Sequence, residues 1–180
     1  MMNCWDTIQI TKQLGVYRTI MLSFLLGLGS FIMLYLPFTF IHQHIEVKEN
    51  GFYPFLLALV VLPILHQLTH IVPLQLIERH AKIKWIKFAK QFPYVKIMPN
   101  TKTSKRTLLI SLLTPTMLLT TPLITASVTF GGYYPYFLML AAINIGFSYT
   151  DFLYARRIWR APKQCIITND HNGYDILIRR

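Results

Sequence analysis

Residues 52–77 read FYPFLLALVVLPILHQLTHIVPLQLI, an apolar run without a single Asp, Glu, Lys or Arg. A run of this length can cross the roughly 30 Å hydrocarbon core of a membrane as a helix. Pro63 and Pro73 stand on either side of His66 and His70, and each proline removes one helical hydrogen bond. We therefore predict a membrane-spanning helix that is bent around the two histidines.

Three further apolar runs, residues 19–41, 108–130 and 136–154, are also long enough to span a membrane. Hydrophobic residues make up 53% of the 180-residue chain and charged residues only 14%, which is far from the composition of soluble proteins. We predict an all-α membrane protein, with four transmembrane helices in a domain of residues 1–160. Residues 161–180 are predicted to form a tail outside the membrane.

The first run, residues 19–41, has a second interpretation as a cleavable signal peptide, because basic residues precede it. It is longer than the usual signal core of about 7–15 residues, and no small-x-small cleavage site follows it. We therefore interpret it as a retained helix. Ser23 and Gly27 form a small-xxx-small pair on this helix, which predicts close packing against another helix.

The basic residues are unevenly distributed along the chain. Of 18 Lys and Arg residues, 17 lie before the first run, in the connection 78–107 or in the tail after the fourth run. With four spans these segments share one side of the membrane, and the positive-inside rule places them and both termini in the cytoplasm. The net charge of +11 is thereby explained without nucleic acid. The expected partner is a bilayer with anionic headgroups.

The connection and the tail carry weaker patterns. Apolar residues stand among lysines over 83–89, which we interpret as an amphipathic helix on the membrane surface. Residues 92–98 are expected to be extended. In the tail, residues 164–168 and 174–178 are predicted to form a small β-hairpin, because turn-forming residues separate them. No partner sheet for this hairpin is evident from the sequence.

His66 and His70 are four residues apart, so they share one face of a helix. This is the spacing of the His-Glu-x-x-His signature of zinc metalloproteases, in which the glutamate is the general base. Gln67 occupies the glutamate position here. Interhelical hydrogen bonding is the alternative role for the two histidines.

Asp151 is the only acidic residue within the four apolar runs. At about 1.5 Å per residue, it lies at a depth similar to that of His70. Asn144, Ser148 and Asp151 follow i, i+4, i+7 spacing, and such a polar stripe is expected to face the protein interior. Two histidines and one aspartate would give zinc three protein ligands and one open position. The alternative partner of Asp151 is Arg156 or Arg157 near the headgroups.

The chain resembles a bacterial family of small four-span membrane proteins classed as zincin peptidases, distant relatives of the site-two intramembrane metalloproteases. The resemblance rests on His66 to His70, on Pro115 and on residues 144–151. It continues in the tail, with Arg-Ala-Pro-Lys at 160–163 and Gly-Tyr-Asp-Ile-Leu at 173–177. The family and the charge distribution together predict a multi-pass protein of a bacterial plasma membrane.

The resemblance implies a role for each matching residue. His66, His70 and Asp151 would be zinc ligands, and Asn144 would lie near the substrate or its oxyanion. The position of the catalytic base falls on Gln67, which departs from the family pattern. A glutamine can hydrogen-bond a water molecule but cannot accept its proton.

These residues are compatible with three functions. The preferred interpretation is a membrane pseudopeptidase that binds or regulates another membrane protein, with or without a metal. The first alternative is an active zinc intramembrane peptidase. The second is a small transporter or a proton or cation relay that uses His66, His70 and Asp151.

Overall fold

The computed structural model describes residues 2–77, 83–88, 94–99, 103–162, 165–170 and 173–179. Short 3₁₀ turns at Glu49–Gly51 and Gly131–Tyr133 precede two of the helices. The strands are β1 (Met2–Ile8), β2 (Ile83–Phe88), β3 (Tyr94–Pro99), β4 (Thr103–Ser104), β5 (Cys165–Asp170) and β6 (Gly173–Arg179). The helices are α1 (Ile10–Leu14), α2 (Val16–Ile41), α3 (Phe52–Thr69), α4 (Ile71–Ile77), α5 (Lys105–Thr129), α6 (Tyr134–Phe147) and α7 (Tyr149–Arg160).

The apolar runs of the sequence form helices within the described residues. Three segments are long and apolar enough to cross a membrane: Val16–Ile41, Glu49–Ile77 and Lys105–Thr129. A fourth is possible if Gly131–Phe147 and Tyr149–Arg160, which meet at an angle of 46°, together make one bent span. The chain is therefore a mostly helical protein with three to four candidate membrane spans.

Two of these segments are interrupted at residues near the candidate metal centre. α3 ends at Thr69 and α4 begins at Ile71, so His70 lies at the break. Pro73 explains this interruption, because it has no N–H to donate to the carbonyl of Thr69. Ser148 separates α6 from α7; its hydroxyl and its N–H both donate to the Asn144 carbonyl, at 3.0 and 3.1 Å. Such back-bonding by serine bends helices.

One compact unit comprises Met1–Thr19, Gln67–Thr114 and Thr150–Arg180. It contains an antiparallel sheet in the order β1-β6-β5-β4. Burial alternates along β5, where Cys165 and Ile167 are buried and the residues between and after them are half-buried. This alternation matches the period of two expected of a strand with one face on a core. The unit's apolar core contains Ile8, Ile10, Leu108, Leu112, Ala155, Ile158, Ala161, Cys165, Ile167 and Ile176.

The predicted tail hairpin is present as β5 and β6. It also has partners that the sequence did not predict, since β1 pairs with β6 and β4 pairs with β5. The description "all-α" therefore omits a four-stranded sheet. Residues 163, 164, 171 and 172, which the hairpin prediction included or adjoined, lie outside the described residues.

The connection 78–107 differs from the prediction in its first half. The expected amphipathic helix over 83–89 is wrong, because Ile83–Phe88 is strand β2 and pairs antiparallel with β3. The sequence Ile-Lys-Trp-Ile-Lys-Phe is rich in β-branched and aromatic residues, which favour strands. The extended segment expected over 92–98 agrees with β3 from Tyr94 onward. Residues 78–82, 89–93 and 100–102 lie outside the described residues.

The second unit comprises Ile20–His66 and Pro115–Tyr149. Within it, α2 and α6 approach closely where Gly27 faces Gly146. A Cβ added to Gly146 would lie 3.3 Å from the Gly27 Cα and 3.0 Å from the Ser23 carbonyl oxygen. The Ser23 hydroxyl donates to the Gly146 carbonyl. The close packing predicted from Ser23 and Gly27 is therefore confirmed, while large apolar side chains elsewhere on α2, such as Phe24 and Met33, are exposed.

Candidate metal centre

His66 lies in the last turn of α3 and is 3% exposed. Its Nδ1 is 2.9 Å from Oδ1 of Asn144. The Asn144 amide nitrogen donates to the Pro115 carbonyl at 3.1 Å and to the Thr120 hydroxyl at 3.0 Å, which fixes the amide with its oxygen towards His66. Because that oxygen can only accept, Nδ1 of His66 carries the proton. The lone pair of a neutral His66 ring is therefore on Nε2, the nitrogen suited to bind a metal.

His70 is held in the same tautomer by a backbone group. Its Nδ1 donates to the Ser111 carbonyl at 2.8 Å, and the Ser111 hydroxyl donates back to the His70 carbonyl at 2.7 Å. The neutral His70 ring thus also presents its lone pair on Nε2. This atom lies 3.5 Å from Oδ2 of Asp151. Hydrogen bonds of this kind orient histidine ligands in metal sites and fix which nitrogen binds.

Asp151 is in the first turn of α7, where the helix dipole favours a negative charge. It ends the polar stripe predicted from the sequence. Asn144 and Ser148 are fully buried, and the Ser148 hydroxyl accepts a hydrogen bond from Thr116 at 2.8 Å. The prediction that the stripe faces the protein interior is confirmed. Of the two arginines considered as partners of Asp151, Arg157 donates to Gln13 at 3.0 Å.

The three predicted ligands converge. His66, His70 and Asp151 each offer one ligand atom, and these atoms all lie within 4.8 Å of one another. His66 lies in the last turn of α3 and His70 at the break before α4, and Asp151 contacts His70. Tetrahedral zinc with bonds of about 2.0–2.1 Å separates its ligand atoms by about 3.3 Å, close to the 3.5 Å between His70 and Asp151. The donor types, the tautomers and the spacing of His70 and Asp151 therefore fit a zinc ion, which three protein ligands would leave with an open fourth position.

A family sequence model described as "putative zincin peptidase" matches residues 59–166, which is well over half of the chain. The chain belongs to this family. The matched region contains the two histidines, Asn144 and Asp151. No match was found among curated proteins or among solved structures. The zincin-peptidase resemblance predicted from the sequence is thus confirmed at the level of the family.

Gln67 follows His66 on the same turn of the zincin-type helix and is half-buried. It occupies the position from which the glutamate of a His-Glu-x-x-His helix acts as the base. A side-chain amide has no basic lone pair to take up a proton at neutral pH. The three side chains that the resemblance names as zinc ligands therefore lie close together, and a neutral residue occupies the base position.

Asn144 has a contact that the sequence did not predict. The resemblance assigned it to the substrate or its oxyanion, and that role stays a prediction. Its hydrogen bond to His66 orients the ring of a candidate ligand. Ser111 and Thr120 were also not singled out, although each is a polar side chain in an apolar run. The Ser111 carbonyl accepts from His70, and the Thr120 hydroxyl accepts from Asn144. These pairings depend on helix packing, for which a single sequence carries no signal.

Proposed function

We propose that this membrane protein is a pseudopeptidase of the zincin family. In this proposal His66, His70 and Asp151 hold one zinc ion, and the protein binds or regulates another membrane protein instead of cleaving it. The observation that carries the proposal is the convergence of three ligand atoms within 4.8 Å beside a glutamine at the base position. The ligand set favours metal binding, and Gln67 disfavours hydrolysis.

Each residue of the centre has a defined part in this proposal. When bound, zinc would supply a Lewis acid that polarises a carbonyl oxygen. Asn144 and the Ser111 carbonyl keep the two imidazoles in the tautomer that binds metal. Gln67 can orient a polar group by hydrogen bonding but cannot move a proton. General acid–base catalysis is typically worth about 10²–10⁴-fold in rate, so its loss leaves a centre better suited to binding than to turnover.

We further propose that the chain crosses a bacterial membrane four times, with both termini in the cytoplasm. Its basic segments would then face anionic headgroups. The sheet supports this arrangement, because it joins β1 before α2, β4 before α5, and β5 and β6 after α7. Strands of one sheet lie on the same side of a membrane. The chain must therefore cross an even number of times between them. Two spans before β4 and two after it satisfy this requirement, with the bent pair α6 and α7 as the fourth.

Two other functions each have an observation in their favour. Membership in the peptidase family favours an active zinc intramembrane peptidase. The 3.5 Å pair of His70 and Asp151 within apolar segments favours a proton or cation relay, since ionisable groups in membrane spans commonly mark such pathways.

Metal content tests the first part of the proposal. The full chain, purified in detergent and equilibrated with Zn²⁺, is expected to retain one zinc per chain by elemental analysis. His66→Ala and Asp151→Ala are expected to lose it. Retention of zinc by both variants would refute the site. Proton or metal-ion flux by the native protein in liposomes, lost in the same variants, would instead establish the relay.

The base position tests the second part. We would co-reconstitute the protein in liposomes with a single-span reporter tagged at both ends and follow its cleavage. The native protein is expected to be inactive and Gln67→Glu to gain cleavage. Gln75→Glu, the same change at an exposed position of α4, is the matched control and should gain none. Cleavage by the native protein that His66→Ala abolishes would overturn the pseudopeptidase proposal in favour of the active peptidase.

A further inference from the structure

Pro115 lies inside α5 and is fully buried. Proline has no N–H, so it cannot donate the helical hydrogen bond to the carbonyl four residues earlier. That carbonyl belongs to Ser111. It is the same group that accepts the hydrogen bond from Nδ1 of His70, at 2.8 Å. The absence of one N–H in α5 thus leaves a backbone acceptor for a candidate metal ligand.

Pro115 also takes part in orienting the other histidine. Its own carbonyl accepts from the Asn144 amide at 3.1 Å, and Asn144 accepts from Nδ1 of His66 at 2.9 Å. Ser111 and Pro115 are four residues apart, as are His66 and His70. Successive turns of α5 therefore provide the Ser111 carbonyl, which holds His70, and the Pro115 carbonyl, which holds Asn144 against His66.

We propose that Pro115 is a positioning residue of the metal centre. It keeps the Ser111 carbonyl available to His70, so that Nδ1 of His70 stays protonated and Nε2 faces the ligand position. Any residue with an N–H at 115 would compete with His70 for that carbonyl. The zinc-binding consequence rests on the proposed function, whereas the effect on the His70 tautomer does not.

The first test compares zinc affinity among proline variants by chelator competition on the full chain. Pro115→Ala restores the N–H and is expected to weaken zinc binding roughly 10–100-fold, as loss of a ligand-orienting group typically does. Pro115→Val restores the N–H while retaining most of the buried volume, and this variant should bind zinc as weakly as Pro115→Ala. Recovery of affinity in the valine variant would show that volume matters rather than the N–H, and would overturn the proposal.

Pro122→Ala is the matched control. It makes the same change in the same helix, but the residue four positions earlier is Leu118, whose side chain is 51% exposed. Its zinc affinity should stay within roughly threefold of the native value. In the Pro115 variants, but not in this control, the visible ligand-field spectrum of bound Co²⁺ should also change. A spectrum unchanged from the native protein would count against a positioning role.

The second test needs no metal, and it uses a variant only to assign the His70 signal. Nitrogen NMR of histidine-labelled native protein, in the metal-free state at a pH where the ring is neutral, reports which ring nitrogen carries the proton. We expect His70 to be protonated at Nδ1, assigned by comparison with His70→Gln. Protonation at Nε2 would refute the inference. If the native protein binds no zinc, the proposed function fails, and this measurement still decides whether the Ser111 carbonyl holds His70.

Discussion

Replacing Asn144 by alanine should weaken both the fold and the metal centre. The side chain is fully buried and makes hydrogen bonds to His66, Pro115 and Thr120 at 2.9–3.1 Å. At roughly 0.6–1.5 kcal/mol for each bond, Asn144→Ala should lower the free energy of unfolding by about 2–4 kcal/mol. Release of the His66 ring should weaken zinc binding by about 10–100-fold.

The assay combines thermal unfolding in detergent with chelator competition for Zn²⁺. Ser127→Ala is the control, because Ser127 is equally buried but its hydroxyl bonds within its own helix, to the Ile124 carbonyl at 2.7 Å. It should lose about 1 kcal/mol or less and keep its zinc affinity. An Asn144→Ala protein that is destabilised but binds zinc normally would refute the orienting role of Asn144. Undiminished stability would refute the hydrogen-bond network itself.

Three further outcomes are expected. Gly146→Ala should destabilise the protein by about 1–3 kcal/mol, which is the typical cost of overpacking. Gly29→Ala is the control and should not destabilise it, because nothing lies within 4 Å of the added Cβ. Equal melting temperatures of the two variants would contradict the close contact of α2 and α6. Burial raises the pKa of the Cys165 thiol, and Lys105 lowers it by a smaller amount, so the reactive thiolate is scarce at neutral pH. In the folded protein, iodoacetamide should therefore modify exposed Cys4 faster than Cys165. Equally fast labelling of both cysteines would contradict the burial of Cys165. Gly173→Ala should release β1 from β6, because the added Cβ would overlap the Ile8 carbonyl. Limited proteolysis should then cut β1. If β1 is as resistant to the protease as in the native protein, the pairing of β1 with β6 is contradicted.

The candidate site could be predicted because it depends on the spacing of residues along single helices, which can be read from the sequence. The i, i+4 spacing of His66 and His70 places them on one face, and the 144–148–151 stripe identifies the inward face of another helix. Comparison of the depths of His70 and Asp151 in the membrane then predicts that Asp151 lies near the histidines, and in the structure it does. The hydrogen bonds that orient the rings were not predictable, because they depend on which carbonyl of α5 lies opposite each histidine.

The fold was predictable where hydrophobicity alone decides it. Long uncharged runs became helices with ends within three residues of those predicted, except in the fourth run, where α7 continues six residues beyond residue 154. The sheet was missed because Met2 pairs with Arg179, and residues so distant in sequence carry no local signal of their pairing. The error over 83–88 has another cause. Two lysines among four apolar residues, three positions apart, fit a short strand as well as a helical turn, and a segment of six residues is too short for its length to decide between them.

The antiparallel sheet also dictates an order of assembly. β5 and β6 are neighbours in sequence and can pair as soon as both are synthesised, but β1 is made first and its partner β6 last. At about 5–20 residues per second, synthesis separates the two strands by on the order of ten seconds. During that interval the apolar helices can already enter the bilayer. Pairing of β1 with β6 is therefore a late step, because it can begin only after β6 and all the helices before it have been synthesised.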